Sequence, residues 1–409
     1  MHCERVPLRR LAERFGTPLY VYSQGHIVGQ HAALDRALHD VDHLLCYAVK
    51  ANSNLAVLRS LTNAGSGFDI VSGGELHRVV QAGGDPARCV FSGVGKTRDE
   101  IAYALKLGIY SFNVESESEL RAIAGVARRL SRRAPIALRV NPSVDPETHH
   151  YISTGKHESK FGVSIKRALA VYREARRMAG IEIRGVQMHI GSQITTAAPF
   201  VLAIKKMMPV VEEVRGLAPQ SLQFFDVGGG LGIRYRDERP PTAQQYATAI
   251  LPYVKKLGLR MLTEHGRFVV GNCGVLVTRV LYLKQTPVKQ FVITDAAMND
   301  LIRPALYGSY HEIVPVARRK RGTMTADVVG PVCESGDFLA QGRKLPAVEE
   351  GELLAIMSAG AYGMVMTSNY NTRPRPAEVL VDGLQFEVVR RRESLKDLVR
   401  GEILPQWLE

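Results

Sequence analysis

Short apolar runs alternate with longer stretches of helical periodicity along the first two thirds of the chain. The runs are HLLCYAV (43–49), GFDI (67–70), CVFS (89–92), IYSFNV (109–114), PIALRV (135–140), GVQMHI (185–190), LQFFDV (222–227) and RMLTE (260–264). Between them, segments such as NLAVLRSLTNAG, GGELHRVVQAGG and SIKRALAVYREARRMAG repeat apolar residues every three or four positions. Strands that are apolar on both faces, alternating with amphipathic helices, predict a parallel sheet covered on both sides. Eight such units over about 240 residues fit a (β/α)8 barrel better than an open doubly wound sheet, and a helical pattern near 25–40 can complete the ring.

Beyond residue 275 the pattern changes. VLVTRVLYLKQ, QFVITDA, TMTADVVGPV, GELLAIMSA, AEVLVDG and QFEVVRRR are short β-rich runs separated by Gly and Pro turns. They predict a mostly-β domain joined by the N-terminal strand TPLYVYS. The expected division is a barrel over 25–275 and a β-rich domain from 1–24 and 276–409.

Composition narrows the class. At 409 residues, 45% hydrophobic and 23% charged, the chain reads as a folded protein with a large core. No apolar stretch is long enough to span a bilayer, and MHCERVPLRRLAERFG lacks the apolar centre of a secretion signal, so the expected location is cytoplasmic and no membrane partner is expected. Five scattered cysteines without CxxC spacing indicate neither a disulfide framework nor a zinc site. The three histidines of HHYISTGKH (149–157) read as part of a mobile loop rather than a metal site, so no metal is expected. A net charge of +13 raises the question of nucleic acid, but RRLSRR (128–133), ARRKR (317–321) and RRR (390–392) lack interleaved aromatics and fit no recognition helix. They read as solvated faces, part of whose charge attracts anionic ligands.

FSGVGKT (91–97) ends like a nucleotide-binding loop, yet a P-loop needs a glycine five residues before the Gly-Lys pair, and Val90 stands there. The stretch reads instead as the end of the third strand, with Lys96 and Thr97 starting or capping the next helix.

Barrel enzymes carry their chemistry where strands end. Here Lys50 follows the first run, Asp69 lies in the second, and Ser92, Glu115 and Asn141 close the next three. His189, Asp226 and Glu264 end the last three. Gly228, Gly229 and Gly230 follow the seventh strand and Gly266 the eighth, where barrels build phosphate sites from backbone amides. Ile233 stands where a dinucleotide fingerprint would need its last glycine. A strand-end lysine for a Schiff base, a phosphate cradle, a carboxylate such as Glu264 for a pyridine nitrogen and a histidine to stack on or bond to the ring together describe a pyridoxal phosphate (PLP) site.

The chain resembles the barrel-type, or fold type III, PLP-dependent decarboxylases of basic amino acids. The resemblance rests on YAVKAN (47–52), GFDIVSGGEL (67–76), FNVESESEL (112–120), RVNPSVDPETHHYISTGKHESKFG (139–162), HIGSQ (189–193), DVGGGLGI (226–233) and EHGR (264–267), and continues through DAAMNDLIRPALYGSYH (295–311), GPVCESGD (330–337), GAYG (360–363) and NYNTRPRPAEVLVDG (369–383). It implies an alanine-racemase-like architecture, with PLP on Lys50 and His189 stacked on the ring. Asp69, Ser192, Gly228 to Gly230, Gly266 and Arg267 would surround the cofactor and its phosphate, with Glu264 at the pyridine nitrogen. Cys333 would donate a proton in the active site of a neighbouring subunit of a homodimer, and Tyr362 would touch cofactor and substrate. HHYISTGKH would be a flap over the site.

Relatives acting on ornithine, arginine, carboxynorspermidine or a carrier-bound amino acid share most of these motifs. A distal end bearing both an amine and a carboxylate needs a guanidinium and an acid. Arg303, Tyr307 and Glu334, with Arg267 and Tyr362, fit that need, so the expected substrate is meso-2,6-diaminopimelate, decarboxylated to L-lysine and CO2 to complete lysine biosynthesis. Three positions depart from the family pattern: His265 for proline, Gln187 for a second histidine and Ala297 for glycine.

Overall fold

A strand that is apolar on both faces must be covered on both, and eight such strands meet the requirement by closing into a cylinder. In a computed structural model describing residues 1–145 and 160–408, the chain divides into two compact units, His26–Gly271 and Met1–Gly25 with Asn272–Glu409. HHYISTGKH lies outside the described residues.

In the first unit the strands are β1 (His43–Ala48), β2 (Gly67–Ile70), β3 (Cys89–Phe91), β4 (Ser111–Val114), β5 (Ala134–Asn141), β6 (Ile181–Gln187), β7 (Phe224–Asp226) and β8 (Arg260–Thr263). Every neighbouring pair is parallel, and β8 pairs back onto β1, so the barrel is closed and has no edge. Its inside is packed: Leu44, Cys46, Val90, Ala137, Phe224 and Leu262 form one buried cluster, with the Tyr110 and Phe224 rings 5.3 Å apart. Polar caps start the covering helices. Thr97 and Glu100 make a capping box ahead of Arg98–Leu107, Ser72 caps Gly73–Gln81, and Ser116 caps Glu117–Arg129. The expected (β/α)8 barrel is therefore present.

One strand departs from expectation. β6 starts at Ile181, four residues before the apolar run, and stops at Gln187. Glu182 and Arg184, paired at 3.2 Å, occupy alternate half-buried positions and interrupt the apolar signal. Met188 then leaves the ladder and donates its N–H to the Asp226 carbonyl, which leaves His189 two residues beyond the strand.

In the second unit the long strand β9 (Gly274–Gln285) pairs antiparallel with Leu19–Ser23, Gln290–Thr294 and Leu353–Ile356. Leu19–Ser23 in turn carries Ala377–Asp382 in parallel, and that strand pairs with Gln385–Arg390. Gln290–Thr294 continues to Thr323–Val329 and then Phe338–Pro346. The last of these was not expected, because its middle, QGRK, is polar and its ladder is broken by two register shifts. The core gathers Leu8, Leu11, Leu19, Val21, Val277 and Val379 under the helix Leu8–Phe15. No helix among the described residues is long and apolar enough to cross a membrane.

Candidate active site

The C-terminal ends of the barrel strands collect ionisable groups in a low-dielectric ring. Lys50 lies on the turn Val49–Ala51 directly after β1, and its Nζ pairs with Asp69 Oδ2 on β2. The lysine side chain is 37% exposed while the Asp69 carboxylate is fully buried, so the amine is accessible but held. Glu75, close to the same amine, is pushed up to about 7, burial outweighing the attraction of Lys50.

Opposite stands a pair of acids. Glu264 follows β8, and Asp226 ends β7. Burial raises both carboxyls, Asp226 to about 6 and Glu264 well above the usual range, where the Asp226 and Asp69 charges hold it up further. The two carboxyls are coupled, and Glu264 is the one pushed further toward its protonated form. Asn113 on β4 donates to Glu264 Oε1 at 3.0 Å, and Gln187 Nε2 lies 3.3 and 3.4 Å from the two oxygens. Asp226 accepts the Gly228 N–H at 2.8 Å.

The glycine loop is fixed by contact rather than by side chains. Gly228 and Gly230 have φ of 70° and 110°, a region costly for other residues, and a Cβ on Gly228, Gly229 or Gly230 would strike the carbonyl of Met188, Glu264 or Gly191 respectively. A Cβ on Gly266 would come within 2.8 Å of the Ala51 methyl. His189 Nδ1 accepts the Gly229 N–H at 3.2 Å, which places its proton on Nε2. Burial, then the charges of Arg139 and Lys50, hold this imidazole neutral, well below its ordinary range. Beside the loop, the guanidinium of Arg267 donates to Ser192 Oγ at 3.0 and 3.3 Å and to the Tyr235 hydroxyl at 2.6 Å.

These features test the fit of PLP. Buried oxygens without partners among the described residues cluster here, on Asp69, Asn113, Gln187 and Asp226. A glycine-only loop, a hydroxyl and a guanidinium suit a phosphate; a buried carboxyl suits a pyridine nitrogen; an accessible amine suits an aldehyde. The residues fit the cofactor.

Lys50, Asp69, His189, Ser192, Gly228 to Gly230, Glu264, Gly266 and Arg267 thus come together in the barrel unit. The other expected residues belong to the β unit and form two groups there. Arg303 is buried and donates to His311 Nε2 at 3.3 Å and Ser309 Oγ at 3.2 Å, with its guanidinium 5.8 Å from the centre of the Tyr307 ring. Cys333 is an exposed thiol whose N–H donates to Asn371 Oδ1 at 2.7 Å, and Glu334 accepts from the Tyr370 hydroxyl at 3.3 Å. Tyr362 holds a positive φ of 54°.

Sequence reasoning missed several members. Asn113 and Arg139 are polar residues inside apolar strand runs, and that interruption was the available signal. Tyr235, in the loop after the glycines, gave none. The largest surprise is Lys96, expected to start or cap a helix. Thr97 alone does so. Lys96 is fully buried and donates to the Gly93 and Asn113 carbonyls at 2.7 and 2.9 Å and to Glu119 Oε1 at 2.7 Å, all three of its protons being used. Glu119 accepts the N–H of Glu115, whose own carboxylate takes Arg139, Gly93 and Gly162 at 2.9, 3.1 and 2.9 Å. The lysine of GKT is a strut under the active-site rim.

The three departures are locally accommodated. Gln187 replaces a titratable ring with an amide donor toward Glu264. The Ala297 methyl lies against Gly330, where a Cβ would collide with it. His265 packs edge-on to Tyr246 at 5.1 Å, with neither ring nitrogen partnered among the described residues, and burial lowers it to about 3.

Comparison with known proteins agrees with this chemistry. The profile "Pyridoxal-dependent decarboxylase, pyridoxal binding domain" matches residues 24–271. The chain therefore belongs to the pyridoxal-dependent decarboxylases, and PLP is its cofactor. Among its relatives, the diaminopimelate decarboxylase of Pseudomonas aeruginosa is 54% identical over 407 residues, spanning 99% of this chain and 98% of the relative. That of Vibrio cholerae is 51% identical over 405 residues, spanning 98% and 97%. The crystal structure of diaminopimelate decarboxylase from Helicobacter pylori complexed with L-lysine matches with a TM-score of 0.93 at 42% identity, covering 96% of this chain and 98% of that one.

Two outcomes follow for residues outside direct catalysis. Lys96 and Glu119 have side chains 0% and 6% exposed, so Lys96→Met strands a buried carboxylate and is expected to cost about 3–5 kcal/mol in urea unfolding. A loss below 1 kcal/mol would remove Lys96 from the rim network. His265 is neutral in the fold at about 3, below its unfolded value near ~6.5, so its contribution to stability is complete above that value and is lost as pH falls toward 3. His265→Phe is expected to flatten the decline in stability between these limits by up to about 1.4 kcal/mol per pH unit, read by denaturant titration across pH. Parallel curves for the two proteins would contradict the assignment.

Proposed function

We propose that the protein decarboxylates meso-2,6-diaminopimelate at its D-centre, giving L-lysine and CO2 and completing lysine biosynthesis. The observation that carries the decarboxylase chemistry is the Lys50 amine paired with Asp69 at the rim that also holds Glu264 and the glycine loop. The relatives named for diaminopimelate at 54% and 51% identity support the substrate. When bound, PLP supplies the electron sink for the pair released as the Cα–carboxylate bond breaks.

The chain's own residues do the rest. Lys50 would hold the cofactor through its amine, which Asp69 positions. Glu264 would face the pyridine nitrogen. His189, neutral and fixed by the Gly229 N–H, offers a flat uncharged face to the ring. Ser192, Gly228 to Gly230, Gly266 and Arg267 take the phosphate. Arg303 suits the distal carboxylate of the substrate and Glu334 its distal amine, with Tyr307 and Tyr362 lining the pocket. Cys333 delivers a proton to Cα.

The functional unit is a homodimer with shared sites: the exposed Cys333 and Glu334 serve the barrel of a second copy. Five free cysteines suit a reducing compartment, and the cytoplasm is the proposed location.

Side-by-side CO2 release from meso-diaminopimelate, ornithine, arginine and carboxynorspermidine tests the substrate. Turnover is expected on the first alone, lost together with the cofactor's visible absorbance in Lys50→Ala. Faster turnover of another substrate, or an active Lys50→Ala protein, would overturn the reading. Sharing is tested by co-expressing Lys50→Ala with Cys333→Ala. Random pairing of two inactive chains is expected to restore about a quarter of wild-type activity, since half the dimers carry one intact site. No recovery in isolated mixed dimers would exclude a shared site.

A further inference from the structure

The opposite rim of the barrel, where the strands begin, carries a second concentration of charge. β5 and β6 start side by side at Ala134 and Ile181. Arg132 and Arg133 directly precede β5, and Arg184 lies on β6. Together with Ile109 and Pro135 they line a cavity of about 240 Å3, and no carboxylate is among its lining residues.

Each guanidinium is held by one hydrogen bond. Arg132 donates to the Leu105 carbonyl at 2.8 Å, offsetting the negative end of the helix Arg98–Leu107. Arg133 donates to the Ile181 carbonyl at 3.2 Å, and Arg184 to Glu182 Oε2 at 3.2 Å. A guanidinium has five N–H donors, so most of the donor capacity is left over, and Arg184 Nε is buried without a partner among the described residues. The larger groove of the β unit, about 300 Å3, has carboxylates among its lining residues: its Arg319 pairs with Glu352 at 3.3 Å and its Arg9 with Glu13 at 2.8 Å.

We propose that the Arg132, Arg133 and Arg184 cavity binds a small multivalent anion of the phosphate class. Planar forks, two of them held by backbone carbonyls and the third by Glu182, are pre-ordered for tetrahedral oxyanions. The volume lies below the roughly 300–1,000 Å3 of sites for drug-sized ligands, which favours orthophosphate, pyrophosphate or a small phosphomonoester. A bound anion would link β5, β6 and the end of the preceding helix, and so stabilise the barrel from the side away from its chemistry.

The test is calorimetric titration of the PLP-loaded enzyme with pyrophosphate and with orthophosphate at low salt, the cofactor's own phosphate site being filled. Saturable binding of one anion per chain is expected, with a rise in unfolding temperature. Arg133→Gln/Arg184→Gln is expected to weaken binding at least tenfold and abolish that rise while leaving decarboxylation unchanged. Arg184→Lys, which keeps the charge but loses the fork, is expected to weaken binding at least threefold and serves if the double variant does not fold. Absence of saturable binding in the wild type, or unaltered affinity in the variants, would overturn the proposal.

Discussion

Glu264 is a carboxyl pushed toward its protonated form by where it sits: it is buried, and Asp226 and Asp69 are near enough to oppose a further negative charge. Much of the surrounding structure answers to that condition. Asn113 and Gln187 turn amide donors toward it, and Asp226 is fixed by the N–H that begins the glycine loop. The Glu264 backbone N–H bonds back to the Gly228 carbonyl at 2.9 Å, so the acid and the loop are set by the same contacts. Across the rim, the Lys50 amine neutralises the third acid, Asp69.

The barrel was legible because its strands are nearly uninterrupted apolar runs, and its rim because barrel chemistry sits at strand ends. Legibility failed where a signal was mixed. β6 was misplaced because Glu182 and Arg184 share its outer positions, and Phe338–Pro346 was missed because its centre is polar. In the site, Lys50, His189, Glu264 and the glycines stand in motifs, whereas Asn113 and Arg139 act from inside the strands. Lys96 shows the limit most clearly. Its neighbours Gly95 and Thr97 suggested a place at the start or cap of a helix, and only the fold brings Glu119, 23 residues later, to its amine.

The departures from the family pattern are absorbed by different means. The extra methyl of Ala297 fits because position 330 has no side chain. The amide of Gln187 keeps a donor beside Glu264 without adding a titrating group. His265 is absorbed least well, a ring with two unsatisfied nitrogens against Tyr246, and it introduces acid sensitivity at the base of the loop that carries Glu264.

The carboxylate of Glu115 bonds to three segments at once: the loop after β3 at Gly93, strand β5 at Arg139, and the chain at Gly162. For protein engineering this makes the rim a keystone assembly rather than a set of interchangeable parts. A loop grafted from a relative after β3 or β5 would have to bring a matching donor for that one side chain. Attempts to retarget such a barrel by swapping single loops would otherwise loosen the neighbouring segments along with the intended one.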